Sequence, residues 1–190
     1  MTSRTYSPAR LLALIGLSVV LMFVAVPATA SAQLGRVRGV ETTLEPTPAF
    51  NQLLSSSDFV LNVVSPAGPR PPVIAFPITS GRVRGSSTRF RGYVNHGGGV
   101  AIARSGVSLA LTNFKFNFTR RPFVGARAGL NRVRFLNLSS VSVRTAGRRV
   151  AIVADAGLAK EAAIALNKAF STTNFSTNQP VGTIRMEIRR

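Results

Sequence analysis

Between Val73 and Asp155 the chain alternates apolar and polar residues in short runs broken by turn residues. The runs are VIAFPI (73–78), FRGYVNH (90–96), GVAIAR (99–104), VSLALTNFKFNF (107–118), RVRFLNLSSVSVR (132–144) and RRVAIVAD (148–155). A period of two places one face of each run on a core, and so many short runs at close spacing build an antiparallel β structure. The fourth run carries a further constraint. Its apolar residues fall on odd positions first (Val107, Leu109, Leu111) and on even positions afterwards (Phe114, Phe116, Phe118). Strand side chains alternate faces, so the change of parity predicts a bulge at Thr112–Asn113.

The flanking segments complete the pattern. VETTL (40–44) reads as a strand, and Thr47 followed by Pro48 reads as the start of a short helix with Phe50, Leu53 and Leu54 on one face. FVLNVV (59–64) is strand-like, and the Pro-rich SPAGPRPP (65–72) predicts a loop crossed by nothing regular. Leu158, Ala162, Ala165, Leu166, Ala169 and Phe170 form a helical stripe, with Asp155 before it as a candidate cap. VGTIRMEIR (181–189) alternates again. The expected fold is mainly β: an antiparallel sandwich or partly open barrel with two short helices covering its ends or an open face.

Residues 1–32 read differently. Arg4 and Arg10 precede the apolar run Leu11–Val26, and ATASA follows Pro27. That order is expected of a secretory signal peptide, which leaves residues 33–190 as a single β-rich domain and puts the chain outside the cytoplasm, at the cell envelope. Contact with membrane is then transient, through the signal segment. The chain has no Cys. Disulfide-linked partners, thiolate catalysis and Cys-bound metal are therefore excluded.

Charge sets the choice of partners. There are 24 basic and 6 acidic residues, a net of +18, and without Arg4 and Arg10 the balance is 22 to 6. From Phe59 to Ala154 no acidic residue occurs. A field of that sign attracts anions and makes their binding salt-dependent. Export removes nucleic acid as the usual target, so anionic envelope polymer or lipid is the better expectation. Arg82, Arg84, Arg89 and Arg91 lie on neighbouring strand segments and form a candidate polyanion-binding stripe. A solvent face rich in Arg reads the same way in sequence.

Reaction chemistry finds little to work with. His96 is the only His, no G-x-S-x-G occurs, and Glu41 and Glu45 fall on the same face of one strand rather than across a cleft. No catalytic residues and no metal ligands are assigned. The run FRGYVNHGGGVAIAR (90–104) holds that His together with Tyr93 and three consecutive glycines. Turn chemistry alone favours a tight hairpin across His96–Gly99.

Several stretches occur in an order that resembles the HtaA-like domain of exported actinobacterial proteins: FPITSGRV (76–83), GYVNHGGGVAIARSGVSLALTNFKFNF (92–118), RVRFLNLSSVSVR, NKAF (167–170) and PVGTI (180–184). The resemblance spans Val40 to Ile188. It implies a non-enzymatic ligand-binding domain of the envelope with haem as a ligand. In that family a Tyr near the domain's N-terminus ligates iron, and a His in the Gly-rich turn supports it. His96 matches the turn His. No Tyr stands in VETTLEPTPAFNQLLSSSDF (40–59) to match the ligand. The implied ligand-binding residues are then His96, Tyr93 and Arg91, with arginines pairing the haem propionates. Tyr93 and His96 are three apart, so a strand would point them to opposite faces.

Overall fold

A computed structural model describes residues 35–189. The expected signal peptide, residues 1–32, lies outside them. In chain order the elements are β1 (Gly35–Arg36), β2 (Arg38–Pro46), α1 (Pro48–Ser56), β3 (Val60–Val64), β4 (Gly68–Arg70) and β5 (Val73–Arg84). Next come β6 (Arg91–His96), β7 (Gly99–Arg104), β8 (Val107–Phe118), β9 (Phe123–Ala128) and β10 (Asn131–Ala146). The chain closes with β11 (Arg149–Leu158), α2 (Lys160–Phe170) and β12 (Pro180–Arg189).

Eight strands form a closed antiparallel ring in the order β2-β5-β6-β8-β9-β10-β11-β12, and β12 pairs back onto β2. Closure removes the exposed edges that an open sheet would present. The expected mainly-β antiparallel fold with two helices is present, with its barrel fully closed. Alternation decides the faces. On β11, Val150, Ile152, Ala154 and Ala156 are buried, while Arg149 and Asp155 are exposed. The aromatic half of β8 sends Phe114, Phe116 and Phe118 inward, and Phe114 packs edge-on against Phe76 with ring centroids 5.1 Å apart.

The bulge predicted in β8 is present. Its register with β9 shifts between Thr112 and Lys115, and Asn113 sits at φ 51°. This left-handed residue takes up the extra position, so Leu111 and Phe114 both face the core. Helix α1 begins as expected: Pro48 is in its first turn, and the Phe50 N–H donates to Thr47 Oγ1 at 3.1 Å. It lies against β12 and β3, whereas α2 lies against β10 and β8.

Three expectations are corrected. Asp155 does not cap α2; it lies within β11 opposite Thr183, and the cap position is Ala159, with no side-chain hydrogen bond. The Pro-rich segment is not free of regular structure. Gly68–Arg70 pairs with β5 as a three-residue edge strand, a place where Pro is tolerated. Most consequentially, His96–Gly99 is not a hairpin turn. Strands β6 and β7 do not pair with each other; both run antiparallel to β8, end to end along it. The hairpin is the next one, β7 to β8, through Ser105 and Gly106, both at positive φ.

The glycines serve close approach instead. Gly98 has φ +73°, and a Cβ there would stand 2.3 Å from the Ala67 nitrogen and 2.6 Å from the Val64 oxygen. The segment after β3 therefore packs directly on the glycine backbone. Asn113 N–H donates to the Gly98 carbonyl at 2.8 Å and Gly97 N–H to the Pro77 carbonyl at 3.0 Å, so the ladder continues across the kink.

Candidate ligand-binding site

His96 ends β6 on the inner face of the barrel and is only 2% exposed. Its Nε2 lies 2.7 Å from Thr42 Oγ1, on β2, and that threonine is fully buried. The imidazole packs on Phe116, with ring centroids 4.6 Å apart. Nδ1 is buried without a partner of good hydrogen-bond geometry. Desolvation lowers the His96 pKa from 6.5 to about 4, against weaker opposing pulls from the Phe114 and Val94 backbones. The ring is therefore neutral at neutral pH and enclosed by apolar side chains.

Thr42 and His96 form a buried polar pair in an otherwise apolar interior. Replacing Thr42 by the isosteric Val leaves the imidazole with both nitrogens unpaired. The expected loss is about 1–3 kcal/mol of folding stability, read from urea unfolding midpoints, with the native barrel retained. An unchanged midpoint would mean that the pair contributes nothing. Beside Thr42 the interior holds an apolar cavity of about 30 Å³, walled by residues including Phe76, Phe114 and Phe116. That is room for roughly one water molecule.

Tyr93 takes the opposite face of β6, as the three-residue spacing requires. Its ring lies under Lys115 Nζ at 4.4 Å from the centroid, a cation–π contact. Across the β5–β6 ladder Tyr93 stands opposite Arg82, and Arg91 opposite Arg84. All three arginines are exposed, and so is Arg89 in the connecting loop. The expected residues thus divide. Tyr93, Arg82, Arg84, Arg89 and Arg91 share the outer face of β5–β6 and its adjoining loop, and His96 is separated from them by the barrel wall.

Two features escape a reading of the sequence. The Thr42–His96 pair joins residues 54 positions apart; alternation in VETTL puts Thr42 on the Leu44 face, but nothing there names His96 as its partner. The acidic residues of β2 also have specific partners: Glu41 accepts from Arg70 at 2.6 Å, and Glu45 lies 3.9 Å from Arg185. Among the described residues no group of three or more His, Asp or Glu converges as a metal site, and no helix is long and apolar enough to cross a membrane.

No family model and no curated protein sequence matches the chain. Solved structures do. The C-terminal domain of HtaA from Corynebacterium glutamicum aligns at a TM-score of 0.54 with 12% identity, over 82% of this chain and 97% of that one. The haem-binding protein HtaB from the same organism aligns at 0.53 with 12% identity, over 82% and 96%. The N-terminal domain of HtaA aligns at 0.51 with 14% identity, over 80% and 98%. The closed barrel with its two helices is therefore the fold of the HtaA domains and of HtaB, as the sequence resemblance led one to expect.

Proposed function

We propose that this chain is a secreted, non-enzymatic ligand-binding domain of the cell envelope, and that its ligand is an anionic, haem-related molecule met on the outer face of β5–β6. One observation carries the reading. Tyr93 faces outward beside Lys115 and Arg82, whereas His96 is sealed inside.

In this reading haem does not reach His96. The ring is enclosed, its partner is a threonine rather than a tyrosine, and the neighbouring cavity of about 30 Å³ is far too small. The outer face suits it better. A phenol oxygen is an established ligand for haem iron, and guanidinium groups pair with propionates. Tyr93 would hold the iron, Arg82 and Arg91 the carboxylates, and the iron would supply only coordination. His96 acts at one remove, by fixing the end of β6 against β2.

The test is a haemin titration followed by absorbance, on the wild type, Tyr93→Phe and Arg82→Gln/Arg91→Gln. The expected result is a saturable Soret shift that is lost in the first variant and weakened about tenfold in the second. A shift unchanged in both variants would remove this face from the site.

A second reading is adhesion to anionic wall polymer or lipid. It is favoured by the exposure of all four arginines of the stripe, Arg82, Arg84, Arg89 and Arg91. Such binding carries no iron spectrum, does not need the Tyr93 hydroxyl, and falls steeply with salt. Tyr93→Phe therefore separates the two.

A further inference from the structure

The end of the barrel where β10 turns into β11 carries a second set of basic residues. Cross-strand register aligns Arg38 on β2, Arg189 on β12 and Arg149 on β11 in a single row. All three point outward and are exposed. Arg148 in the β10–β11 turn and Arg36 on β1 flank the row. Together with Ala146 these five arginines line a concavity of about 550 Å³. Among the described residues none of the five is in an ion pair; the two salt bridges found are Glu41–Arg70 and Glu45–Arg185. A wider basin adjoining it also takes in Glu41 and Glu187, the former already engaged by Arg70.

Like charges directly opposite each other on neighbouring strands destabilise a sheet. Three in one row, with two more at the rim, is a cost that the fold offsets with no ion pair among the described residues; Glu187, two residues before Arg189 on the same face of β12, is bridged to none of them. Arginines also meet in pairs on other ladders, Arg84 with Arg91 and Arg127 with Arg132; the row differs in joining three adjacent strands beside one concavity. The lining has no aromatic ring to stack a base or a porphyrin; its apolar surface is the Ala146 methyl and the methylene stems of the arginines. It offers rigid forked donors, which match phosphate oxygens two at a time.

We propose that this concavity is an anion-binding site for clustered phosphate groups, such as those of a polyphosphate or of packed phospholipid headgroups. It adjoins the Tyr93 face at one point, where Arg36 on β1 stands opposite Arg82 on β5, and it does not depend on haem binding there. A compact ligand with several negative charges bridges Arg38, Arg149 and Arg189, and Arg36 and Arg148 close over it from the rim. Bound phosphate removes the repulsion along the row, so binding also stabilises the fold.

The test is calorimetric titration of the purified chain with inorganic tripolyphosphate at low salt. It compares the wild type, the row variant Arg38→Gln/Arg149→Gln/Arg189→Gln, and a variant of equal charge at exposed arginines outside the concavity, Arg121→Gln/Arg127→Gln/Arg132→Gln. The expected result is saturable one-to-one binding, at least 30-fold weaker in the row variant and within threefold of wild type in the other. Saturating tripolyphosphate raises the melting temperature of the wild type and not of the row variant. Without ligand the row variant melts no lower than wild type, because its side chains are exposed and mutually repelling; the single change Arg189→Gln serves if the triple variant fails to fold. Absence of saturable binding to both tripolyphosphate and anionic vesicles, or equal losses in both triple variants, overturns the site and leaves only diffuse charge. Vesicles with and without anionic phospholipid give the second arm. Vesicle binding lost in the row variant, without tripolyphosphate binding, keeps the site and assigns it to headgroups.

Discussion

Lowering the pH from 6.5 to 4 is expected to cost the folded chain about 3 kcal/mol through His96 alone. The imidazole is neutral in both states above pH 6.5, so its environment costs nothing there. Below 6.5 the unfolded chain takes up a proton. The folded chain does not until about pH 4, because burial disfavours the charged ring. Stability therefore falls as pH drops through that window, by about 1.4 kcal/mol per unit, and levels off below it. Urea midpoints at pH 7, 6, 5 and 4, for the wild type and for His96→Gln, isolate the effect, since every other group titrates alike in the two proteins. The wild type should lose about 3 kcal/mol more than the variant across the range. Parallel curves would mean that the ring is accessible to water, and the enclosed Thr42–His96 pair would be wrong.

The glycine run supplies the second large effect. At Gly98 a side chain meets both a left-handed backbone and the crowding of the Val64–Ala67 segment, 2.3 and 2.6 Å from a Cβ. Gly98→Ala is expected to destabilise by about 3 kcal/mol or more, among the larger values single substitutions give. Gly106, in the true β7–β8 turn, has a similar φ of +81° and open space where a Cβ would go. Gly106→Ala bears only the conformational strain, about 1 kcal/mol. The contrast discriminates between two arrangements. If NHGGG were a surface hairpin, both changes would cost about the same; as a seam within the barrel, Gly98 is far the more sensitive.

These two positions also mark the limit of what the sequence discloses. Local pattern is reliable where one face of a strand must be buried: the phase change at Thr112–Asn113 forecast the bulge, and Thr47-Pro48 forecast the start of α1. Long-range pairing is not encoded in any window. Ring closure depends on β12 returning to β2, and the partner of His96 is Thr42, far away in the chain. The glycine triplet signals backbone without side chains, but the same signal serves a turn and a close crossing; only the register along β8 distinguishes them. The arginine row escaped for a related reason. Arg38, Arg149 and Arg189 are unremarkable singly and become neighbours through the pairing of three strands. The stripe Arg82, Arg84, Arg91 was legible because its strands are consecutive.

The two faces of β6 have different surroundings. One residue in two along Arg91–His96 points inward, so Val94 and His96 stabilise the barrel while Tyr93 and Arg91 meet solvent. Likeness to HtaB extends over four fifths of the chain. Yet the residue opposite the conspicuous histidine here is a threonine. In the proposed reading the groups that meet a ligand, Tyr93 and Arg91, lie on the other side of the wall.

The most direct measurement of that claim is the haemin titration carried out on the wild type, Tyr93→Phe and His96→Gln side by side. The account predicts a saturable Soret shift in the wild type, its loss in Tyr93→Phe, and its retention in His96→Gln under conditions where that variant is folded. A shift that vanishes with His96 and survives in Tyr93→Phe would place the ligand inside the barrel and contradict the assignment.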